Sequence, residues 1–113
     1  MAYRIVSALD LVDDEALIAA YRDRHAAGAV WPDIVRDIRD RGCRDMEIWH
    51  VADRLVMIAE VDDDFPRASD PAVQPRVAAW EAEMDRYQRP IDPTGRKWAA
   101  MERIFSLQDQ SRD

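Results

Sequence analysis

Two consecutive strand-like runs, residues 44–51 and 55–61, constrain the fold of this chain most strongly. The second run reads L-V-M-I-A-E-V, and it is apolar at nearly every position, which is typical of a central strand covered on both faces. The first run carries apolar or aromatic side chains on both of its alternating faces. Because Ala52 and Asp53 form a short turn between the runs, we predict a β-hairpin inside a sheet.

The segments around the hairpin predict the remaining helices and strands. Alternating patterns predict an opening strand over residues 3–9 and a closing strand over residues 98–107. Helical spacing predicts three helices, one from the acidic residues 13–15 to Gly28, one from Pro32 to Gly42, and one over residues 76–88. The acidic, proline-containing segment 62–75 is predicted to be a surface loop.

This order of elements indicates an α+β, ferredoxin-like βαββαβ fold, in which a four-stranded antiparallel sheet has its helices on one face. The other face then needs cover, because the hairpin has apolar groups on both sides and an uncovered sheet would expose a large apolar patch. We therefore predict a homodimer in which two sheets pack face to face.

Length and charge restrict the class of protein. A chain of 113 residues with 48% hydrophobic and 35% charged residues fits one soluble domain, predicted over residues 1–108 with a frayed polar tail at 109–113. The net charge of −7, with arginines interleaved among acids, argues against nucleic acid as a partner. No apolar run approaches the roughly 18 residues of a membrane span, and no signal peptide is recognisable, so we predict a cytoplasmic protein.

The segment from Tyr21 to Pro32, Y-R-D-R-H-A-A-G-A-V-W-P, holds the residues best suited to chemistry. Tyr21 and His25 are four apart on a helical pattern, so their side chains lie one turn apart on one face. His25 can exchange a proton near neutral pH, Tyr21 offers a hydroxyl, and Trp31 offers an aromatic wall. The alternative interpretation is a histidine and a tyrosine half-buried where a helix packs on a sheet.

Other chemistries lack their motifs. The two histidines, His25 and His50, fall on different elements without a second ligand at a recognised spacing, so we predict no metal, and His50 is interpreted as structural. Glycine-rich nucleotide loops are absent from the sequence, and we predict no cofactor. Cys43 is the single cysteine, which excludes an intrachain disulfide and indicates a small core residue. Trp80 is the tryptophan best placed to meet a ligand, and Glu81 is a carboxylate beside it.

The ordered set Y-x-x-x-H, W-P-[DE], M-E-I-W, L-V-M-I-A-E-V, W-E-A-E-M and M-E-R-I-F-S-L resembles the L-rhamnose mutarotase family over nearly the whole chain. The resemblance implies a dimeric α+β barrel that interconverts the α and β anomers of a 6-deoxy-L-sugar without cofactor or metal. It implies that His25 is the proton donor, that Tyr21 contacts the sugar, and that Trp80 lines the pocket. We predict two catalytic residues: His25 protonates the ring oxygen, and Tyr21 orients the sugar or relays the second proton.

Departures from the rhamnose-specific pattern lie at positions that the resemblance assigns to sugar binding. Glu81 stands where those members have a second tryptophan, Met46 stands where they have a tyrosine, and the link from His25 to Trp31 is two residues longer. These changes favour a related monosaccharide, with L-fucose preferred and L-rhamnose next. Two other functions remain open, a cofactor-free oxygenase or isomerase on the same barrel and a non-catalytic sugar-binding module.

Overall fold

An antiparallel sheet forms the frame of the molecule in the computed structural model, which describes residues 2–92, 94 and 96–110. Its long strands are β1 (Ala2–Leu11), β2 (Cys43–Val51) and β3 (Arg54–Asp62), arranged in the order β2-β3-β1. Two short strands, β4 (Gln88–Arg89) and β5 (Ala99–Ala100), share the other edge of β1. This arrangement confirms the predicted ferredoxin-like α+β fold.

The β2–β3 hairpin is confirmed with a two-residue turn at Ala52 and Asp53. Val51 pairs with Arg54, and Ala52 adopts a positive φ of 53°, which a tight turn requires of one of its residues. The carbonyl of Asp53 accepts a hydrogen bond from the backbone N–H of Leu11 at 2.7 Å. The tip of the hairpin is therefore fixed to the end of β1.

Three α-helices occur within the described residues: α1 (Glu15–Arg24), α2 (Pro32–Asp40) and α3 (Gln74–Met84). The Asp14 side chain caps α1 by accepting the backbone N–H of Leu17 at 2.9 Å. The helix ends at Arg24, with His25 as its C-cap, rather than continuing to Gly28 as predicted. Gly28, at a φ of 80°, lies in the turn beyond the helix.

Helix α3 begins two residues before the predicted position and ends four residues earlier, at Met84. The chain leaves the helix because it returns to the sheet. The carbonyl of Tyr87 accepts the backbone N–H of Val12 at 2.8 Å, and Gln88 then pairs with Leu11 in β4. The helical spacing at Tyr87 is therefore misleading, because tertiary pairing with β1 overrides local propensity.

The predicted closing strand, residues 98–107, is mostly wrong for the described chain. Only Ala99 and Ala100 pair with β1, and the backbone N–H of Met101 adds one bond of 2.8 Å to the carbonyl of Val6. Residues 101–106 continue without regular structure, and Ile104 is 91% exposed. A short 3₁₀ helix follows at Gln108–Gln110, and residues 111–113 of the predicted tail lie outside the described residues.

The core lies on the face of the sheet that the helices cover. One cluster joins side chains of the sheet and all three helices: Leu11, Tyr21, Ile34, Leu55, Trp80, Met84 and Tyr87. A smaller cluster contains Cys43, Ala59 and Val61. Cys43 is 4% exposed, which confirms it as a core residue. None of the helices in the described part of the chain has the length and apolar character that a bilayer crossing requires.

The other face of the sheet carries the alternate residues of the same strands. Since Leu55 belongs to the core, Val56 and its partner Trp49 point to the opposite side. Trp49 is 62% exposed and Val51 is 68% exposed. The predicted dimer, which would cover this face, stays a prediction.

Candidate active site

A cavity of about 330 Å³ lies between helix α1 and the β2–β3 hairpin. The helix contributes side chains from its last turn, and the hairpin contributes the wall opposite. The lining residues are Tyr21, Arg22, His25, Ile48, Trp49, His50 and Leu55. The volume is at the small end of the range for ligand pockets, about 300–1,000 Å³, so it suits a small molecule.

His25 is held in this cavity by its neighbours on three sides. Its ring stacks on Tyr21 with centroids 4.1 Å apart, and it meets Trp80 edge-on at 5.6 Å. Its Nδ1 atom lies 2.8 Å from the carbonyl oxygen of Tyr21. The stacking confirms that the spacing of four residues places the two rings one turn apart, even though His25 caps the helix.

The protonation of His25 follows from these contacts. Because a carbonyl oxygen can only accept a hydrogen bond, Nδ1 carries the proton and Nε2 is left with a lone pair. Burial lowers the pKa of His25 from its ordinary value, and the hydrogen bond to Tyr21 opposes that change in part. A neutral imidazole with a free Nε2 can accept a proton from a ligand and return it.

The Tyr21 hydroxyl is suited to hydrogen bonding rather than to ionisation. Burial raises the pKa of Tyr21 to about 12, a hydrogen bond with Gln88 opposes the rise, and the charge of Glu81 adds to it. The hydroxyl group of Tyr21 therefore stays protonated at neutral pH and can donate a hydrogen bond to an oxygen atom.

Trp80 and Trp31 pack edge-on behind His25, and neither is among the residues that line the cavity. Trp80 is 6% exposed and meets Trp31 edge-on with centroids 5.1 Å apart. The guanidinium of Arg76 lies over the Trp31 ring, 4.1 Å from its centroid. Trp80 therefore touches His25 directly, whereas Trp31 reaches the site only through Trp80.

Glu81 and Met46 lie outside the lining of the cavity. The carboxylate of Glu81 pairs with Lys97, which also pairs with Asp85 at 2.8 Å. Burial acts to lower the pKa of Lys97, but the hydrogen bonds to Asp85 and Glu81 outweigh it and raise the pKa. Met46 packs against the cluster around Cys43, on the face of β2 that also carries Ile48.

His50 and Arg22 line the cavity, although sequence reasoning did not select them for it. His50 is exposed and pairs with Leu55 across the hairpin, so it points to the helix-covered face. The strand alternation that places His50 on one face with Met46 was visible in the sequence. What the sequence lacked was the contact between this strand and helix α1.

Metal chemistry has no evident location in the described chain. Within residues 2–92, 94 and 96–110, no group of three or more histidine, cysteine, aspartate or glutamate side chains is placed to hold a metal ion. His25 and His50 each use one ring nitrogen on a backbone carbonyl, of Tyr21 and Ala52 respectively. The polar groups of the cavity are therefore suited to hydrogen bonding and proton exchange.

Comparisons with known proteins agree with the fold. The sequence profile of L-rhamnose mutarotase matches residues 4–107. An L-fucose mutarotase of Xanthomonas campestris pv. campestris is 40% identical over 111 residues, which cover 94% of this chain and 89% of the relative. The crystal structure of an L-rhamnose mutarotase from Formosa agariphila superposes with a TM-score of 0.66 at 19% identity, covering 93% of this chain and 98% of the other.

The fold, the cavity and these matches define the class: the protein is a carbohydrate isomerase, and its reaction is that of a sugar mutarotase. More narrowly, the chain belongs to the L-rhamnose mutarotase family. The resemblance noted in its sequence motifs is confirmed.

Proposed function

We propose that this mutarotase interconverts the anomers of a 6-deoxy-L-sugar, with L-fucose preferred over L-rhamnose, and that His25 transfers the protons. The preference is supported by the 40% identity to a relative named L-fucose mutarotase. It is supported too by Glu81, which pairs with Lys97 where the rhamnose-specific pattern has a second tryptophan.

The hydrogen bond between the His25 ring and the backbone of Tyr21 is the observation that carries the proposal. Its Nδ1 atom donates to the carbonyl of Tyr21, which fixes the orientation of the ring and leaves Nε2 for the substrate. Stacking on Tyr21 and contact with Trp80 restrict the ring further. A proton-transfer group that is already oriented loses little freedom when the sugar binds.

Mutarotation moves two protons, one at each of the two oxygen atoms bonded to the anomeric carbon, C1. The anomeric hydroxyl loses a proton and the ring oxygen gains one, so the bond between C1 and the ring oxygen breaks and an aldehyde forms. We assign both movements to Nε2 of His25, which takes the proton from the anomeric hydroxyl and delivers it to the ring oxygen. Rotation about C1–C2 and the reverse transfers then close the ring on the other face, with no net change in protons.

The neighbouring aromatic groups bind the sugar in this proposal. Tyr21 donates its hydroxyl proton to a sugar oxygen, because its pKa of about 12 keeps the hydroxyl protonated. Trp80 lies behind His25 in this proposal, and its edge-on contact helps to hold the His25 ring beside the sugar. We assign Trp31, Met46 and Glu81 to the surroundings of the bound sugar, where Trp31 orients Trp80 and the other two adjust the pocket.

The apolar part of the cavity supports a 6-deoxy sugar in particular. Ile48 and Leu55 provide hydrocarbon surface opposite His25. A methyl group at C6 can pack against such a surface without losing a hydrogen bond. A hydroxyl group there would lose its hydrogen bonds to water and find no hydrogen-bond partner in the protein.

The proposal includes a cytoplasmic homodimer. Ile104, Phe105 and Leu107 are 91%, 63% and 75% exposed, and Trp49 on the uncovered sheet face is 62% exposed. Such a large apolar surface is typical of a protein interface, and a second copy packed on the sheet would cover it. A cytoplasmic location agrees with a single cysteine, Cys43, that is free and buried.

Saturation-transfer NMR on the anomeric protons tests the proposed reaction directly. We expect the protein to accelerate exchange between the two anomers of L-fucose more than those of L-rhamnose, and both more than those of D-glucose. Sugar binding without faster exchange would contradict the assignment of His25 and indicate a binding module instead. Equal acceleration for all three sugars would contradict the proposed preference.

A further inference from the structure

We infer that His50 is a sugar-binding residue, whose Nδ1 atom accepts a hydrogen bond from one hydroxyl group of the substrate and thereby helps to select the sugar. This inference rests on the proposed function and extends it to a residue on the opposite wall of the cavity. His50 and His25 line the same cavity, one from the hairpin and one from helix α1.

The tether of His50 leaves its acceptor nitrogen free. Its Nε2 atom lies 2.5 Å from the carbonyl oxygen of Ala52, two residues along the chain. A carbonyl oxygen cannot donate, so Nε2 carries the proton, and Nδ1 of the neutral ring has a lone pair. A sugar presents several hydroxyl donors, which are the complement of such an acceptor.

The hairpin tip holds this tether in a defined position. Ala52 has a positive φ and belongs to the two-residue turn. Next to it, the carbonyl of Asp53 accepts from Leu11, and its carboxylate pairs with Arg89 at 2.9 Å. Arg54 pairs with Asp10 at 2.7 Å. Because these contacts fix the turn to the end of β1, the His50 ring starts from an anchored backbone, which favours selective binding.

The two histidines are placed for different tasks. His25 is half-buried and enclosed by Tyr21 and Trp80, as a group that moves protons requires. His50 is exposed, and its ring is held by the Ala52 carbonyl. A ligand between α1 and the hairpin meets His25 on one side and His50 on the other. We therefore assign proton transfer to His25 and recognition of a hydroxyl group to His50.

Two substitutions separate recognition from proton transfer. His50→Leu keeps a side chain of similar bulk but removes the hydrogen-bond acceptor. We expect the KM for L-fucose to rise about five- to tenfold, which corresponds to the loss of a hydrogen bond worth about 1–1.4 kcal/mol. His50→Asn places its side-chain oxygen near the position of Nδ1, and we expect the KM to rise no more than about threefold. We expect kcat to stay within about threefold of wild type in both variants.

Deoxy sugars identify the hydroxyl group. The effect of His50→Leu on kcat/KM is measured with L-fucose and with its 2-, 3- and 4-deoxy derivatives. We expect one derivative to be insensitive to the substitution, because the partner of His50 is already missing from it. Equal sensitivity of all the sugars would overturn the inference, as would an unchanged KM in His50→Leu.

Other outcomes are equally decisive. A fall of about 100-fold in kcat for His50→Asn, with KM unchanged, would show that His50 moves a proton and would overturn its assignment to recognition. Asp45→Asn is the control, because Asp45 lies on the same strand, points to the opposite face and does not line the cavity. Failure of the wild-type protein to exchange L-fucose anomers would instead refute the proposed function, so the two failures are distinguishable.

Discussion

The two faces of the sheet are built from the same strands, but only one of them is covered by the helices. On the helix-covered face, Leu55 is 1% exposed and lies beside the cavity that holds His25 and His50. On the other face, Trp49 and Val51 remain 62% and 68% exposed. Alternation along β2 and β3 made both faces apolar, yet the helices of one chain cover only one of them.

This difference suggests a division of tasks between the faces. The covered face gains a cavity because aromatic rings and imidazoles from α1 stand over the hairpin. The other face carries exposed apolar side chains, such as Val51 at 68%, and it is suited to association. Chemistry on one face and association on the other can be tested separately, since a substitution on either face should leave the other property intact.

The largest expected effect concerns His25 on the covered face. We expect His25→Ala to lower the rate of anomer exchange by about 10²–10⁴-fold, the usual contribution of a general acid–base group. His25→Asn is the matched variant, because its amide can still donate to the Tyr21 carbonyl but offers no exchangeable ring nitrogen. Saturation-transfer NMR on L-fucose should find both inactive, and exchange at the wild-type rate in either would refute the role of His25.

The second effect concerns association through the exposed apolar residues. We expect Ile104→Asp to raise the dissociation constant of the dimer by about 30-fold or more, the loss of a central interface contact of about 2 kcal/mol. Ile104 is 91% exposed, so this change has little to disturb within its own chain. Sedimentation equilibrium measures it, with Gln108→Asp as a control of equal charge change.

The same variant tests the division between the faces. Because Ile104 is not among the residues that line the cavity, we expect Ile104→Asp to keep its exchange rate within about threefold of wild type. Loss of exchange together with dimerisation would break the comparison between the faces. A wild-type protein that is monomeric at high concentration would refute the proposed dimer itself.

The third effect concerns the apolar wall of the covered face. L-galactose differs from L-fucose only by a hydroxyl group on C6, and we expect its kcat/KM to be lower by about 5- to 150-fold. This range corresponds to about 1–3 kcal/mol for a polar group left without a partner. Anomer exchange of the two sugars is measured under identical conditions. Equal values would mean that Ile48 and Leu55 do not contact C6.

The smallest expected effect is a fall in kcat/KM as the pH is lowered. Burial lowers the pKa of His25, so the neutral imidazole that accepts the anomeric proton is present at pH 7 and above. We expect kcat/KM to be level through neutral pH and to fall as pH drops below 6.5, the ordinary value of histidine. A rate that falls as pH rises through 6–7 would indicate that the imidazolium is the active form.

The sequence predicted the long elements because their signals are local. The apolar hairpin, the acidic start of α1 at residues 13–15 and Pro32 at the start of α2 depend on neighbouring residues only. The ends of α1 and α3 and most of the closing strand were wrong. At Gln88 and beyond Ala100, the outcome depends on where the edge of β1 lies, and that is a long-range property.

The candidate site was predictable within one element but not between elements. Spacing along α1 placed Tyr21 beside His25, and the stacked rings agree with it. The contact of Trp80 with His25 had only general support from the predicted fold. His50 was interpreted as structural, because alternation indicates which face a residue occupies but not whether a helix leaves space above it.

The sequence by itself determined the order of elements, the apolar hairpin and the pairing of Tyr21 with His25, because these follow from periodicities of two and 3.6 residues. Only the tertiary structure decided that His25 and His50 share a cavity, that α3 gives way to a strand, and that the chain end leaves β1. These outcomes depend on distances between segments far apart in sequence, which are set by packing of the whole chain.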